Sequence, residues 1–226
     1  NFPMKNAYQD QFHTYGMDAF LAKVSPDGQL LWSTYLGGDN EFNHSPEMNR
    51  MYGGDMGELL MEAVNSIQVT NDAIYAGGYT NAESFPEFQY SSPHDYWFLN
   101  SFIAEFTLDG EFVRILELPY IEDDGYLVLQ NFKCINDDTI VVGGLQYVWP
   151  EDDEGQKRGD KKMFISSLHV GVDNQVTLNW KHIITRPYGA SSLQGSLPLQ
   201  EKQIAPLKMD YFQDKIYTAC VSSCEN

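Results

Sequence analysis

The sequence predicts an all-β protein, because two kinds of short hairpin alternate along it and no long amphipathic helical segment interrupts them. The first kind has Asp-Gly between two alternating apolar runs, as at Asp27-Gly28 and Asp109-Gly110. The second kind has Asn and Asp before a run that ends in small residues, as at Asn71-Asp72. A repeat of antiparallel strands follows from this alternation.

The first kind of hairpin occurs three times. Its copies are residues 18–32, 101–113 and, more loosely, 163–180. In the first two copies, Gly28 and Gly110 each lie eight positions after a phenylalanine, Phe20 or Phe102. Gly is expected there because the turn requires a positive φ at that position.

The second kind of hairpin also occurs three times. Its copies are residues 67–78, 132–144 and 207–220. Each copy has two small residues that fall three and four positions after an Ile, namely Gly77-Gly78, Gly143-Gly144 and Ala219-Cys220. Small residues at a fixed place in a strand predict the close approach of a neighbouring sheet or backbone.

Two hairpins together supply four strands, which is the content of one β-propeller blade. A β-sandwich predicts no such repeat, and a β-helix predicts a shorter period. We therefore predict a β-propeller of four-stranded antiparallel blades in which strands A to D follow one another along the chain. The strands run C-D, A-B-C-D, A-B-C-D, A-B.

That order amounts to about three blades' worth of strands, whereas propellers usually close with about four to eight blades. Residues 1–226 are thus expected to form part of one propeller, a partial ring, with repeat units at about 1–83, 84–150 and 151–226. The remaining blades would come from the same longer chain or from another chain.

Several segments of the repeat resemble the bacterial β-propeller repeat family (SBBP repeats). They are Asp18–Lys23, Ser33–Gly38, Ile74–Thr80 and the pairs Phe2-Pro3 and Phe85-Pro86. The resemblance is specific over residues 1–86 and decays afterwards, where residues 115–120 replace the Ser-Thr-Tyr-Leu-Gly-Gly segment. It implies a secreted or cell-surface bacterial protein, and it carries over no catalytic residue.

The connections differ in length according to their place in the blade. The A–B and C–D connections are tight, whereas the predicted long connections, all B–C or D–A, are residues 37–62, 80–100, 118–126, 145–161 and 185–204. In an up-and-down blade these two classes leave from the same face, and long insertions on one face of a scaffold commonly build a binding site.

Aromatic residues are frequent in these connections. They are Phe42, Tyr52, Phe88, Tyr90, Tyr96, Trp97, Tyr147, Trp149 and Tyr188. Such residues either form a platform that binds a sugar or a protein, or cap the ends of the blades. The candidate ligand-binding residues are Tyr96, Trp97, Tyr147, Trp149, Tyr52 and Tyr90.

Charge excludes some classes of partner. With 32 acidic and 14 basic residues, the net charge is −18, which disfavours nucleic acid because phosphates are bound by clustered Lys and Arg. No apolar run is long enough to insert into a membrane, since about 18 residues or more are needed.

No cofactor is expected from the sequence. The acidic runs 122–124 and 151–154 suggest calcium only weakly, because neither has the alternating ligands of a calcium loop. Cys220 and Cys224 either pair with each other, leaving Cys134 free, or all three cysteines are small buried hydrophobic residues.

The leading functional hypothesis is a non-enzymatic propeller module that binds a partner protein or a glycan through the long-loop face, or that serves in a surface assembly. One alternative is a propeller hydrolase or lyase acting on a polysaccharide, with carboxylates at the mouth of the ring. A second alternative is a structural spacer between other domains. No nucleophile elbow or zinc-binding His-Glu-x-x-His motif occurs in the sequence.

Overall fold

The computed structural model describes residues 3–11, 18–38, 62–80, 82, 100–118, 126–148, 160–172, 175–184 and 208–219. All of its regular elements are β-strands. They are β1 (Ala19–Val24), β2 (Leu30–Leu36), β3 (Ala63–Val69), β4 (Ala73–Thr80), β5 (Asn100–Thr107), β6 (Phe112–Glu117), β7 (Tyr126–Asn136), β8 (Thr139–Val148), β9 (Asp160–Val170), β10 (Val176–Ile184), β11 (Lys208–Phe212) and β12 (Lys215–Ala219).

The strands form four antiparallel sheets, two of which have four strands. β3 to β6 form one four-stranded sheet and β7 to β10 form the other, each with its strands in chain order. β1 pairs with β2, and β11 pairs with β12, as two-stranded sheets. The predicted all-β class and the predicted order of two, four, four and two strands are therefore confirmed.

The Asp-Gly turns have the geometry that their sequence predicts. Gly28 has a φ of 86° and Gly110 a φ of 89°, so both lie in the left-handed region. The Gly28 amide donates to the Ser25 carbonyl at 2.9 Å, and the Gly110 amide donates to the Thr107 carbonyl at 3.0 Å. Both of these hairpins therefore have a three-residue loop that ends in a left-handed glycine.

The small residues of β4 and β8 lie where neighbouring backbone comes close. A Cβ atom built on Gly78 would lie 1.7 Å from the Ala63 carbonyl oxygen, and one built on Gly144 would lie 2.1 Å from the Val128 carbonyl oxygen. Both contacts adjoin a register shift, a β-bulge in the first strand of each sheet. The predicted close approach is confirmed at these two positions.

Gly77 serves a different contact, because it faces the next sheet rather than the neighbouring strand. A Cβ atom built on Gly77 would lie 2.7 Å from side-chain atoms of Leu129 and Phe132 in β7. The absence of a side chain at Gly77 thus lets two sheets pack closely.

Successive sheets are stacked face to face in chain order. One apolar cluster joins β1 and β2 to the sheet β3–β6 through residues such as Trp32 and Phe106. A second joins β3–β6 to β7–β10, through Ile103 and Phe164 among others. A third, smaller cluster packs Met209 of β11 against Val141 of β8. Alternate residues of each inner strand therefore face opposite neighbours, as period-2 alternation requires.

Polar bonds align the first strands of successive sheets. The Asn65 side-chain amide in β3 donates to the Leu129 carbonyl in β7 at 2.7 Å, and the Cys134 amide donates to Gln68 Oε1 at 2.9 Å. β3 and β7 therefore run side by side in the same direction. Lys133 in β7 similarly approaches Asp210 in β11, with 3.3 Å between Nζ and Oδ1.

The segment of residues 3–9 lies along the outer edge of β2. The Ser33 amide donates to the Lys5 carbonyl at 2.8 Å, and the Tyr35 amide donates to the Gln9 carbonyl at 3.0 Å. Ser33 and Thr34 are fully buried beneath this segment. Backbone groups at this edge are thus satisfied by an extra strand-like segment.

One predicted connection is shorter than its sequence suggested. Residues 145–161 were predicted as a long connection, but β8 continues to Val148 and β9 begins at Asp160. Leu145 and Gln146 are buried, at 6% and 4% exposure, because β8 stays paired with β9 beyond Gly143-Gly144.

Candidate functional site

The long connections all leave from one end of the sheets. Pairs such as Ala63 with Tyr79, Thr80 with Asn100 and Tyr126 with Tyr147 mark this end, which we call the long-connection end. From the observed strand bounds, the connections are residues 37–62, 81–99, 118–125, 149–159 and 185–207. The short hairpin turns lie at the opposite end.

A buried carboxylate anchors two of these connections. Glu62, immediately before β3, is 3% exposed, and its Oε1 accepts a hydrogen bond of 3.1 Å from Thr80 Oγ1 at the end of β4. The Ala82 amide donates to the same Thr80 hydroxyl oxygen at 2.9 Å. The last residue of one connection is thereby tied to the first residues of the next.

Ser101 bridges the two four-stranded sheets near the same end. Its hydroxyl donates to the Leu127 carbonyl at 2.8 Å and accepts from the Leu129 amide at 2.8 Å. Ser101 is 5% exposed, so both bonds are shielded from water. The bridge fixes the start of β5 against β7, and with it the strand ends that carry two connections.

A third polar group ties the N-terminal segment to the end of the first sheet. Gln9 Nε2 donates to Asp18 Oδ2 at 3.2 Å, and the Gly37 amide donates to Gln9 Oε1 at 3.1 Å. A Cβ atom on Gly37 would lie 2.5 Å from the Asp18 carboxyl carbon, so this corner is tightly packed. Hydrogen bonds therefore hold described residues at the ends of the connections 37–62, 81–99 and 118–125.

Five of the six predicted ligand-binding residues lie outside the described residues, within the connections themselves. They are Tyr52, Tyr90, Tyr96, Trp97 and Trp149. Tyr147 was predicted to lie in a connection, but it belongs to β8, where it pairs with Tyr126 and Lys161. It is nevertheless two residues from the connection that starts at residue 149.

A cluster that the sequence did not single out lies toward the hairpin end, between the two large sheets. Arg114 Nε contacts Glu105 Oε2 at 2.6 Å across the β5–β6 pair. Tyr75 lies opposite Glu105 on β4. Hairpin register was the usable signal, since the Asp109-Gly110 turn places Glu105 opposite Arg114.

Electrostatics in this cluster favour protonated groups. Burial, followed by the charge of the Glu105 carboxylate, raises the pKa of the Cys134 thiol to about 11, although Lys133 opposes this shift. Burial and then Glu105 also raise the pKa of the Tyr75 phenol. Cys134 is a free cysteine, partly buried beside the second apolar cluster. Because the thiolate is the nucleophilic form, a raised pKa disfavours reaction of this cysteine at neutral pH.

Metal-binding chemistry was also considered across the described parts of the chain. Within them, no group of three or more His, Cys, Asp or Glu side chains is arranged to hold a metal ion. Both acidic runs considered for calcium, as well as Cys220 and Cys224, lie outside the described residues. Nor does any helix suited to crossing a membrane occur in the described part of the chain.

The chain matches no protein-family profile and no curated protein.

Proposed function

We propose that this chain is a non-enzymatic β-propeller module of a secreted or cell-surface bacterial protein, and that it binds a partner protein through the long-connection end. One observation carries the proposal. All tight hairpins lie at one end of the sheets, and all five long connections leave from the other. Long insertions on one side of a rigid scaffold commonly form recognition surfaces.

The propeller arrangement is supported by how the sheets stack. Each four-stranded sheet contacts the preceding sheet with one face and the following sheet with the other. Blades of a propeller have this relationship because they repeat radially around an axis. The resemblance of residues 1–86 to the SBBP repeat family favours the same arrangement and a secreted or surface location.

Charge indicates what kind of partner would fit. The five connections contain seventeen of the 32 acidic residues but only five of the 14 basic residues. An acidic surface attracts a basic partner, and complementary charge increases the association rate most at low salt. A basic protein surface therefore matches this end better than a neutral glycan does.

Aromatic residues would supply the binding energy at short range. Tyr52, Tyr90, Tyr96, Trp97 and Trp149 all belong to the connections, and Tyr147 lies next to one of them. Trp and Tyr are enriched among residues that dominate interface energies, because each buries a large rigid surface. The hydrogen bonds of Glu62 and Ser101 hold the ends of connections in place. This would limit the conformational entropy that the connections lose on binding.

The test measures binding of the chain to Lys- and Arg-rich peptides, to Glu-rich peptides of equal length, and to a glycan array. We expect the basic peptides to bind, with an affinity that falls as salt is raised from about 50 to 200 mM. Trp97→Ala and Trp149→Ala should each weaken binding about tenfold or more.

Phe212→Ala is the matched control, because Phe212 is an aromatic residue exposed at 61% at the hairpin end. It should bind like the unmodified chain. Equal binding of basic and acidic peptides, or equal loss in the Phe212 variant, would contradict the proposed site.

A further inference from the structure

Two sheet edges of the chain are complementary to each other. In the described residues, β1 pairs only with β2 among the strands, and β12 pairs only with β11. The complete sheets show that β11 and β12 correspond to the first two strands of a blade, and β1 and β2 to the last two. The sheet β11–β12 therefore lacks a third strand beside β12, which is the place that β1 has in a blade. The sheet β1–β2 lacks a second strand beside β1, which is the place that β12 has.

Two tryptophans at equivalent positions of two sheets differ in how far they are buried. Trp32 is paired with Lys23 in the first sheet, and Trp180 is paired with Ser167 in the equivalent place of the sheet β7–β10. Trp32 is 4% exposed, whereas Trp180 is 38% exposed. The two residues have equivalent positions but different environments.

The cover over Trp32 is the Asp109-Gly110 turn of the following sheet. A Cβ atom on Gly110 would lie 2.6 Å from Trp32 Cδ2, and Trp32 Nε1 donates to the Leu108 carbonyl at 3.3 Å. Trp180 has no such turn over it among the described residues. Its described ring contact is with His182 on the same strand, with 5.2 Å between ring centroids.

The chain contains a second copy of the covering turn, and no other part of the described chain packs against its glycine. Gly28 is equivalent to Gly110, with almost the same φ and the same turn hydrogen bond. Among the described residues, nothing lies within 4 Å of a Cβ atom built on Gly28. Within the described residues, Trp180 therefore lacks the turn that covers Trp32, and the Gly28 turn covers no tryptophan.

Strands β5 and β1 differ in the same way, because residues at equivalent positions are buried in one and exposed in the other. Ala104 and Phe106 of β5 are fully buried against the first sheet, while the equivalent residues of β1, Ala22 and Val24, are exposed. Val24 is 55% exposed. Apolar positions that are buried between two sheets in β5 are thus exposed in β1.

We propose that a second copy of this chain places its β1–β2 hairpin beside β12, which completes a four-stranded sheet β11–β12–β1–β2 across the two copies and covers Trp180 with the Gly28 turn. The proposal goes beyond the proposed binding function, because it uses the ends of the stack of sheets and not the long-connection end. Applied reciprocally, it joins two copies of this chain through two identical contacts.

The register of the new strand pair follows from the complete sheets. Ala76 pairs with Ala104, and Val142 pairs with Ser166. The equivalent residues are Thr218 in β12 and Ala22 in β1. Cross-strand partners have Cα atoms about 4.5 to 5.5 Å apart, which suits a disulfide.

The experiment mixes two separately purified 226-residue chains, one carrying Ala22→Cys and the other Thr218→Cys, under mild oxidation. We expect a covalent product of about 51 kDa, twice the 25.7 kDa mass of the chain, whose cross-linked peptides contain residues 22 and 218. Val113→Cys replaces Ala22→Cys in the control, because Val113 is exposed at 45% on β6. Cross-linking no greater than in this control would overturn the proposal.

A chain that carries both substitutions tests closure within one molecule. An internal 22–218 disulfide at the monomer mass, in place of the cross-linked dimer, would refute the second copy as the occupant.

Light scattering of the unmodified chain gives an independent measurement. We expect a mass near 51 kDa, and a dissociation constant that Trp180→Ala raises about tenfold or more. Leu178→Ala is the control, since Leu178 is exposed on the same strand but pairs with Leu168, whose side chain belongs to the opposite face. A monomeric chain, or equal effects of the two substitutions, would overturn the proposal, while binding of basic peptides would still be measurable by itself.

Discussion

Gly110 lies directly against the indole of Trp32, so that one repeat packs its turn on the tryptophan of the preceding repeat. An added Cβ atom would lie 2.6 Å from Trp32 Cδ2. The glycine also has a φ of 89°. Both its conformation and its lack of a side chain are therefore needed, the first by the turn and the second by the contact between sheets.

Gly110→Ala should consequently lower the free energy of unfolding by more than Gly28→Ala does. Both substitutions incur the left-handed penalty of roughly 1–2 kcal/mol. Only the first adds a clash with Trp32, which we expect to cost about 1–3 kcal/mol more. Urea unfolding at a concentration low enough to keep the chain monomeric measures the difference. Equal losses in the two variants would show that the contact with Trp32 is unimportant.

Ser101 and Ser166 offer a second matched pair, because both are buried serines with different bonding. Ser101 Oγ makes two hydrogen bonds of 2.8 Å between sheets, whereas Ser166 Oγ, 2% exposed, has no hydrogen-bond partner among the described residues. Ser101→Ala should cost about 1–3 kcal/mol of unfolding free energy, since it leaves a buried carbonyl and amide unsatisfied.

Ser166→Ala should be neutral or slightly stabilising, because it removes an unsatisfied buried hydroxyl. Chemical denaturation of the two variants under the same conditions checks both expectations. A loss on Ser166→Ala as large as that on Ser101→Ala would contradict the assigned bonding.

The strands were predictable from the sequence to the extent that their hairpin turns are local. Asp27-Gly28 and Asp109-Gly110 specify a turn by the φ of one glycine, so the strands on both sides and their register follow. Glu105 and Arg114 are paired by that same register, yet the charges alone gave no sign of it. The hydrogen bonds of Ser101 could not be predicted from the sequence either, because its partners belong to another sheet and depend on how the sheets stack.

Most of the predicted binding residues belong to connections and not to strands. Strand periodicity therefore does not predict their positions. Tyr147 shows the difficulty. The sequence predicts that its connection begins after Gly144, but continued pairing with β9 keeps the chain in the sheet to Val148. Long-range pairing of two extended segments overrode a boundary that small residues had suggested.

Stability should fall with rising pH in the alkaline range, because two raised pKa values in the cluster of Tyr75 and Cys134 favour the protonated folded state. The pKa of Cys134 is raised from 9.0 to about 11, and that of Tyr75 is raised from 10.0. Above pH 9 the unfolded thiol ionises while the folded thiol stays protonated, so the stabilisation present below pH 9 is lost as pH rises toward 11.

Cys134→Ser should flatten the dependence of the unfolding midpoint on pH between about 9 and 11, because serine does not titrate there. The quantity compared is the slope of the midpoint against pH, and not the absolute stability of the variant. An unchanged slope would show that the thiol has an ordinary pKa. Alkylation of the folded chain at pH 7.5 should also be slow at Cys134, since little thiolate is present.

Gly144→Ala should be more damaging than Gly110→Ala or Gly28→Ala, because the atom that its Cβ would meet belongs to the backbone. Its Cβ atom would lie 2.1 Å from the Val128 carbonyl oxygen, and 3.1 Å from the Gln130 amide nitrogen at the bulge in β7. A flexible side chain could rotate away, whereas this carbonyl belongs to the β7–β8 pairing, so the bulge itself would have to shift. We expect a loss of at least about 3 kcal/mol in the free energy of unfolding, or failure to fold.

Ala22→Gly is the control, because it also exchanges alanine and glycine, but at an exposed position of a strand. There the loss should be about 1 kcal/mol or less. Thermal unfolding followed by circular dichroism compares the two, and a Gly144 variant as stable as the Ala22 variant would mean that the bulge relaxes at little cost.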